Sequence, residues 1–246
     1  MRIVCIRIFY MKNVYLIADT AFLIEYNSVY TEILFKEYLS SRMPEFTVLK
    51  PNDSQIEYEK SLCGIDDYDV LENTYILRQI SKILLENKNT VLFHSSAVKY
   101  KEKAYLFTAP SGTGKSTHTR NLKTLLKDKI SYINDDKPFI SLGDDGNFYV
   151  YGSPWCGKHR LGANEKVPLK AIVLLSRAKD TSVEKISGKD ALKTLVEQSS
   201  YQAKIGSVDK LFSIFSSLIF SVDFYKLTCN KEVSSASVTL NEILEG

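Results

Sequence analysis

Apolar positions along this chain change period several times, and each change marks an element. Val14-Tyr15-Leu16-Ile17 reads as a strand, residues near Ser28 to Ser40 as a helix, Phe46 to Leu49 as a short strand, and Asp67 to Leu85 as a second helix. In that last segment Leu77, Ile80 and Leu84 recur at i, i+3 and i+7, the stripe of a packed face rather than of a binding surface. These elements form a small α+β module over residues 1–88.

From Thr90 the character changes. Thr90 to Ala97 and Ala104 to Thr108 read as strands joined by a hairpin through Lys99-Tyr100-Lys101-Glu102-Lys103, and Leu122, Leu125 and Leu126 then repeat at helical spacing. A strand from Lys129 to Ile133 runs into Asn134-Asp135-Asp136. Pro138 to Leu142 and Asn147 to Tyr151 flank the turn signal Gly143-Asp144-Asp145-Gly146. After a loop from Gly152 to Val167 come a strand at Leu169 to Ser176, helices near Lys189 to Ser199 and Val208 to Phe220, a strand at Phe224 to Cys229 and a closing helix. Two consecutive paired strands ahead of the first helix break the βαβ alternation of doubly wound folds and predict a mixed sheet, so residues 89–246 read as a mixed α/β domain.

Composition adds mainly exclusions. The 246 residues are 44% hydrophobic and 25% charged, an ordinary globular balance, and the net charge of +3 comes from scattered lysines, so no basic stripe predicts a nucleic-acid partner. No run of 18 apolar residues predicts a membrane span. The segment Met1 to Tyr10 mixes arginines into too short an apolar run for a secretory signal, which predicts a cytoplasmic protein, with Met11 a candidate start. Cys5, Cys63, Cys156 and Cys229 are widely spaced, without a zinc-ligand rhythm.

One segment carries the chemistry. Ala109-Pro110-Ser111-Gly112-Thr113-Gly114-Lys115-Ser116-Thr117 has the spacing of a phosphate-binding loop, placed between an apolar strand and an amphipathic helix. Glycines let successive backbone N–H groups turn toward phosphate oxygens, Lys115 can reach the β- and γ-phosphates, the Ser116 hydroxyl can ligate Mg²⁺, and the helix dipole adds to the attraction. Ser111 to Thr117 are therefore the expected nucleotide-binding residues. Asp135 and Asp136 end an apolar strand, where such proteins keep a carboxylate for Mg²⁺. Strand alternation would point them to opposite sides, one serving the metal and the other an acceptor hydroxyl as general base.

Two further features draw interest. His94 lies within the apolar run Val91 to Ala97, where it reads either as a packed histidine or as a neighbour of a catalytic carboxylate. Gly152 to Gly162 holds the chain's one tryptophan, Trp155, with Pro154, Cys156 and the consecutive basic residues Lys158-His159-Arg160. Such a loop could close over a γ-phosphate and supply positive charge, with Lys158 and Arg160 the expected contributors.

The order of strand histidine, short hairpin, Ser-Gly-Thr-Gly-Lys-Ser and an Asp-Asp pair resembles the C-terminal domain of HPr kinase/phosphorylase and related phosphoenolpyruvate-carboxykinase-like P-loop proteins. The resemblance covers roughly Thr90 to Asn230 and is specific from His94 to Asp136. It implies a PEP-carboxykinase-like domain that uses ATP and Mg²⁺. Lys115 and Ser116 would hold phosphates and metal, Asp135 would deprotonate the acceptor, Asp136 would support the metal, and His94 would sit beside Asp135. Ala109 stands where those kinases carry Gly and Thr117 where they carry Glu, and their downstream signature is not recognisable.

The reading that follows is an ATP-dependent kinase whose acceptor is a protein or peptide Ser/Thr or a small-molecule hydroxyl. The resemblance also brings a possible homo-oligomer. A nucleotide-responsive module that recognises a partner through its N-terminal domain is the alternative, and decarboxylating carboxykinase chemistry rests on fold analogy alone.

Overall fold

A computed structural model describes residues 10–199 and 207–246. Expectations about Cys5 and about the stretch before Tyr10 lie outside these residues. The chain separates into two compact units, Met1–Ile80 and Ser81–Gly246.

The first unit is built on a hairpin of β1 (Met11–Ile17) and β2 (Thr20–Tyr26), with β3 (Phe46–Val48) parallel to β2. The turn residues Ala18 and Asp19 both have positive φ, 48° and 57°. This is the backbone of a tight primed turn, formed here without the Asn-Gly pair that would have announced β2 in the sequence. Helix α1 (Val29–Phe35) starts at Ser28, whose hydroxyl accepts from the Tyr30 and Thr31 amides, and it ends short of the predicted Ser40. The fully buried Glu72 carboxylate accepts from the Asn27 and Ser28 amides at 2.8 and 2.9 Å, tying that corner to α3 (Tyr68–Lys88). Helix α2 (Asp53–Cys63), absent from the sequence reading, begins with a reciprocal Asn52–Gln55 cap and ends at Gly64 with φ 68°. Buried Glu59 on α2 and Arg78 on α3 meet through two 2.7 Å hydrogen bonds.

The second unit carries one curled mixed sheet. Among the described residues its main path runs β4 (Thr90–Leu92), β8 (Phe139–Leu142), β9 (Phe148–Tyr151), β10 (Lys166–Arg177), β6 (Lys103–Thr108), β5 (Ser96–Tyr100), β7 (Ile130–Asn134). Strand β12 (Asp223–Cys229) pairs with β10, and β11 (Ser182–Ile186) with β12. β10 links the two halves: Lys166–Pro168 pair antiparallel with β9, after which the strand runs parallel between β6 and β12. β5 is antiparallel to both of its neighbours, so β6, β7, β10 and β12 all point the same way.

Helices cover both faces. Leu106, Ile172 and Phe224 join α5 (Gly188–Gln198) and α6 (Val208–Ser221) in one buried cluster. Phe107, Val173 and Leu227 join α4 (Lys115–Leu126) and α7 (Val233–Thr239) in the other. Strand residues one apart thus feed opposite cores, which is why β6 and β10 read as continuous apolar runs.

The expected strand from Thr90 to Ala97 is two strands. β4 pairs with β8, and the chain then breaks at Phe93–Ser95 before β5 pairs with β6 and β7. His94 therefore sits in the break and not on a strand. Asp135 and Asp136 likewise follow the last residue of β7. Among the described residues no helix is long and apolar enough to cross a membrane.

Candidate active site

The site lies at one edge of the sheet. The loop after β6, the two aspartates after β7, Arg177 at the end of β10 and Lys231 after β12 all stand at the carboxyl ends of parallel strands. The break holding His94 reaches the same edge because β5 runs the opposite way. They line a cavity of about 480 Å³.

The glycine-rich loop has the backbone its sequence predicts. Gly112 and Gly114 have φ of 77° and 121°, and a Cβ at either would meet nothing within 4 Å, so both face open space. The Thr113 amide donates to the Pro110 carbonyl at 3.3 Å, closing the turn. Helix α4 starts at Gly114 with no side chain capping it, leaving its first amides directed at the cavity. Lys115 is buried, and its ammonium donates to the Ala109 carbonyl at 3.0 Å, folded back along the loop. Burial draws its pKa below the usual lysine value, while Asp136 and Asp135 pull the other way.

Two arginines, one ending β10 and one on α4, support this loop, and neither was expected from sequence. Arg177 donates through Nε to the Thr113 carbonyl at 2.8 Å and through a terminal nitrogen to the Gly112 carbonyl at 2.5 Å. Arg120, one turn into α4, donates to the Ser116 carbonyl at 3.0 Å. Their signal in the sequence is weak: an arginine ending an apolar strand becomes informative only when the strand is known to lie beside the loop.

Both aspartates line the same cavity, which corrects the expectation that they face opposite sides. The strand alternation behind that expectation has ended by Asn134. Asn134 instead turns the chain, its side-chain oxygen accepting from the amides of Asp136 and Lys137 at 2.9 and 2.7 Å. Asp135 is buried and accepts from the Ser96 hydroxyl at 2.6 Å, with Ser116 as a second donor. Burial pushes its carboxyl above the usual carboxylate range despite both hydroxyls and Arg120. Asp136 is more open and is held by Lys137 Nζ at 2.6 Å.

His94 is paired with Asp136, its Nε2 lying 3.6 Å from Oδ1, where the resemblance placed it beside Asp135. The cause is the break before β5, which joins the Ser95 amide to the Asp136 carbonyl at 3.1 Å. Nδ1 lies 2.9 Å from the Gln198 side-chain oxygen. Burial first, then Lys115, lowers the His94 pKa, so the ring is neutral at pH 7 and the contact with Asp136 is not a charged pair.

The loop from Gly152 is pinned beneath the carboxylates. A Cβ on Gly152 would stand 1.8 Å from the Ala163 carbonyl oxygen, and Gly157, at φ 74°, packs against the Asp136 side chain. Asp135 donates its amide to the Leu161 carbonyl at 3.0 Å. The cavity receives Gly157, Lys158 and His159 from this loop. Arg160, expected there, lies outside the lining: with φ of 50° it closes a turn onto the Gly157 carbonyl. Of the loop residues expected to hold the nucleotide, Ser111, Gly112, Gly114, Lys115, Ser116 and Thr117 line the cavity, whereas Thr113 turns to its flank.

The residues fit a hard divalent ion only in part. Ser116 and Asp136 offer oxygen ligands in one cavity, yet among the described residues no cluster of three or more His, Cys, Asp or Glu could hold a metal ion. Phosphate oxygens and water would have to complete the shell, the usual arrangement for Mg²⁺.

No family model matches the chain, and no curated protein matches it. Among solved structures it is similar to the HPr(Ser) kinase/phosphatase from Coxiella burnetii, with 10% identity and a TM-score of 0.32 over 63% of this chain and 97% of that one. That is a weak, fold-level likeness and supports nothing about activity.

Proposed function

We propose that the second unit is an ATP-dependent kinase of the HPr kinase-like type, transferring the γ-phosphoryl group to a hydroxyl of a protein, peptide or small molecule. The observation that carries this reading is a buried carboxylate, Asp135, raised above its usual pKa and facing an open glycine-rich turn across a single cavity. A loop that only held a nucleotide would not need a desolvated base opposite it.

The backbone amides at the start of α4 and Lys115 bind the phosphates, Lys115 leaving the Ala109 carbonyl to do so. Asp135 accepts the acceptor's proton as the hydroxyl oxygen attacks the γ-phosphorus and the bond to the β-bridging oxygen breaks, releasing the nucleoside diphosphate. Ser116 and Asp136 would hold Mg²⁺, which when bound neutralises phosphate charge. Neutral His94 and Lys137 hold the Asp136 carboxylate in place. Lys158 and Arg177 add positive charge at the rim of the cavity.

Transfer from γ-phosphate-labelled ATP into lysate proteins, peptides and small metabolites tests the proposal. A labelled species made by the natural chain and absent with Lys115→Ala is the expected result. Tight, Lys115-dependent ATP binding with no label in any acceptor pool would instead favour the nucleotide-responsive module.

A further inference from the structure

Two cavities meet at the glycine-rich loop. The larger one faces Asp135 and Asp136. The second, about 230 Å³, lies on the opposite flank and shares Gly114, Thr117, Arg177 and Lys231 with the first. Its remaining wall is mainly apolar: Leu175 and Ala178 from the end of β10, and the buried Cys229 thiol from the end of β12. Burial raises the Cys229 pKa, so this wall is an uncharged thiol.

A nucleoside triphosphate whose middle phosphate occupies the loop must send its γ-phosphate to one side and its base to the other. The carboxylate side is where an acceptor hydroxyl can lose its proton. The apolar side suits a flat, uncharged ring. Building on the phosphate-loop reading above, we infer that the groove between the ends of β10 and β12 is the nucleobase subsite, and that it takes a purine by shape without distinguishing adenine from guanine.

The lack of discrimination follows from the groove's amide and carbonyl groups away from the phosphate loop, at Asn230 and Cys229, which are turned to the chain itself. Asn230 Nδ2 donates to the Lys179 carbonyl at 2.9 Å, and its Oδ1 accepts from the Glu232 amide and the Ser235 hydroxyl, both at 2.8 Å. The Cys229 carbonyl accepts from the Ala178 amide at 3.0 Å. A site that reads a base through hydrogen bonds discriminates strongly, whereas apolar contact discriminates little.

Calorimetric titration of the full chain with ATP, GTP and inorganic tripolyphosphate, each with Mg²⁺, tests this. Ala178 is exposed, so Ala178→Trp fills the groove without entering the core. The natural chain should bind ATP and GTP within about fivefold of each other and both more tightly than tripolyphosphate, and Ala178→Trp should lose about tenfold for both nucleotides while keeping its tripolyphosphate affinity. Ala178→Leu, a smaller filler, carries the same comparison if tryptophan disturbs the loop. Unchanged ATP binding in the filled variants, or an ATP-to-GTP preference above about fiftyfold, would overturn the inference. Tripolyphosphate binding with no added affinity for either nucleotide would sink the groove alone. Failure of the natural chain to bind any of the three would remove the phosphate-loop reading and the groove with it.

Discussion

At the scale of the residue, the site turns on how Asp135 is held. Its carboxylate is out of water, a condition that favours the protonated form, while the Ser96 hydroxyl at 2.6 Å favours the charged one. Replacing Ser96 by Ala removes a donor to the charged form, so the Asp135 pKa rises further. The acid limb of the pH–rate profile should then move to higher pH by roughly one unit. An unmoved limb would mean that Asp135 does not set it. Contiguous residues made the loop legible, because a glycine-rich turn followed by Lys-Ser encodes its own backbone within nine positions. Arg120, Arg177 and Lys231 were not legible, since each gains its meaning from a strand or helix distant in sequence. Arg160 was not separable from Lys158 and His159, because three neighbouring basic residues look equivalent until the left-handed backbone of the turn distinguishes them.

At the scale of the element, α4 links the loop to the rest of the unit through His118. Its Nε2 lies 2.9 Å from the Thr239 hydroxyl on α7, and its ring packs on Phe107 of β6 with centroids 5.3 Å apart. Burial lowers its pKa from 6.5 to about 4. A histidine held neutral in the fold contributes stability in full above pH 6.5, and that contribution is lost as pH falls toward the folded value. The shift corresponds to about 3 kcal/mol at most. Denaturant unfolding at pH 7 and pH 4.5 should show this loss in the natural chain and a smaller one in His118→Asn; equal losses would contradict it.

The pinned loop yields a second expectation. Gly152→Ala places a methyl on the Ala163 carbonyl and should cost about 2 kcal/mol or more, seen as a lower unfolding midpoint. Elements with a clear period, such as α3 and α6, were readable from the chain. The break at Phe93–Ser95 was not, because an apolar run looks the same whether one strand or two use it. β11, exposed at three of its five positions and half-buried at the other two, has no apolar alternation to betray it. The start of β10 was hidden by Pro168, which is tolerated where the strand changes partners from β9 to β6.

At the scale of the whole molecule, the topology of the second unit assembles the site. Parallel strands bring their carboxyl ends to one edge, and the antiparallel β5 delivers His94 to that same edge from its amino end. The mixed character of the sheet was legible from two consecutive paired strands ahead of the helix. The order of its strands was not, because pairing partners far apart in sequence leave no local trace. Nucleotide binding at this edge should stabilise the chain by about 2.7 kcal/mol at a ligand concentration a hundredfold above Kd, read as a rise in melting temperature that Lys115→Ala abolishes.

One variant decides between a chemical role for Asp135 and a purely structural one. Asp135→Asn keeps the shape and the Ser96 contact while removing the base. Measured side by side, phosphoryl transfer from labelled ATP should fall at least about a hundredfold, with ATP affinity within about threefold of the natural chain. Transfer persisting at the natural rate in a variant that binds ATP normally would contradict the account.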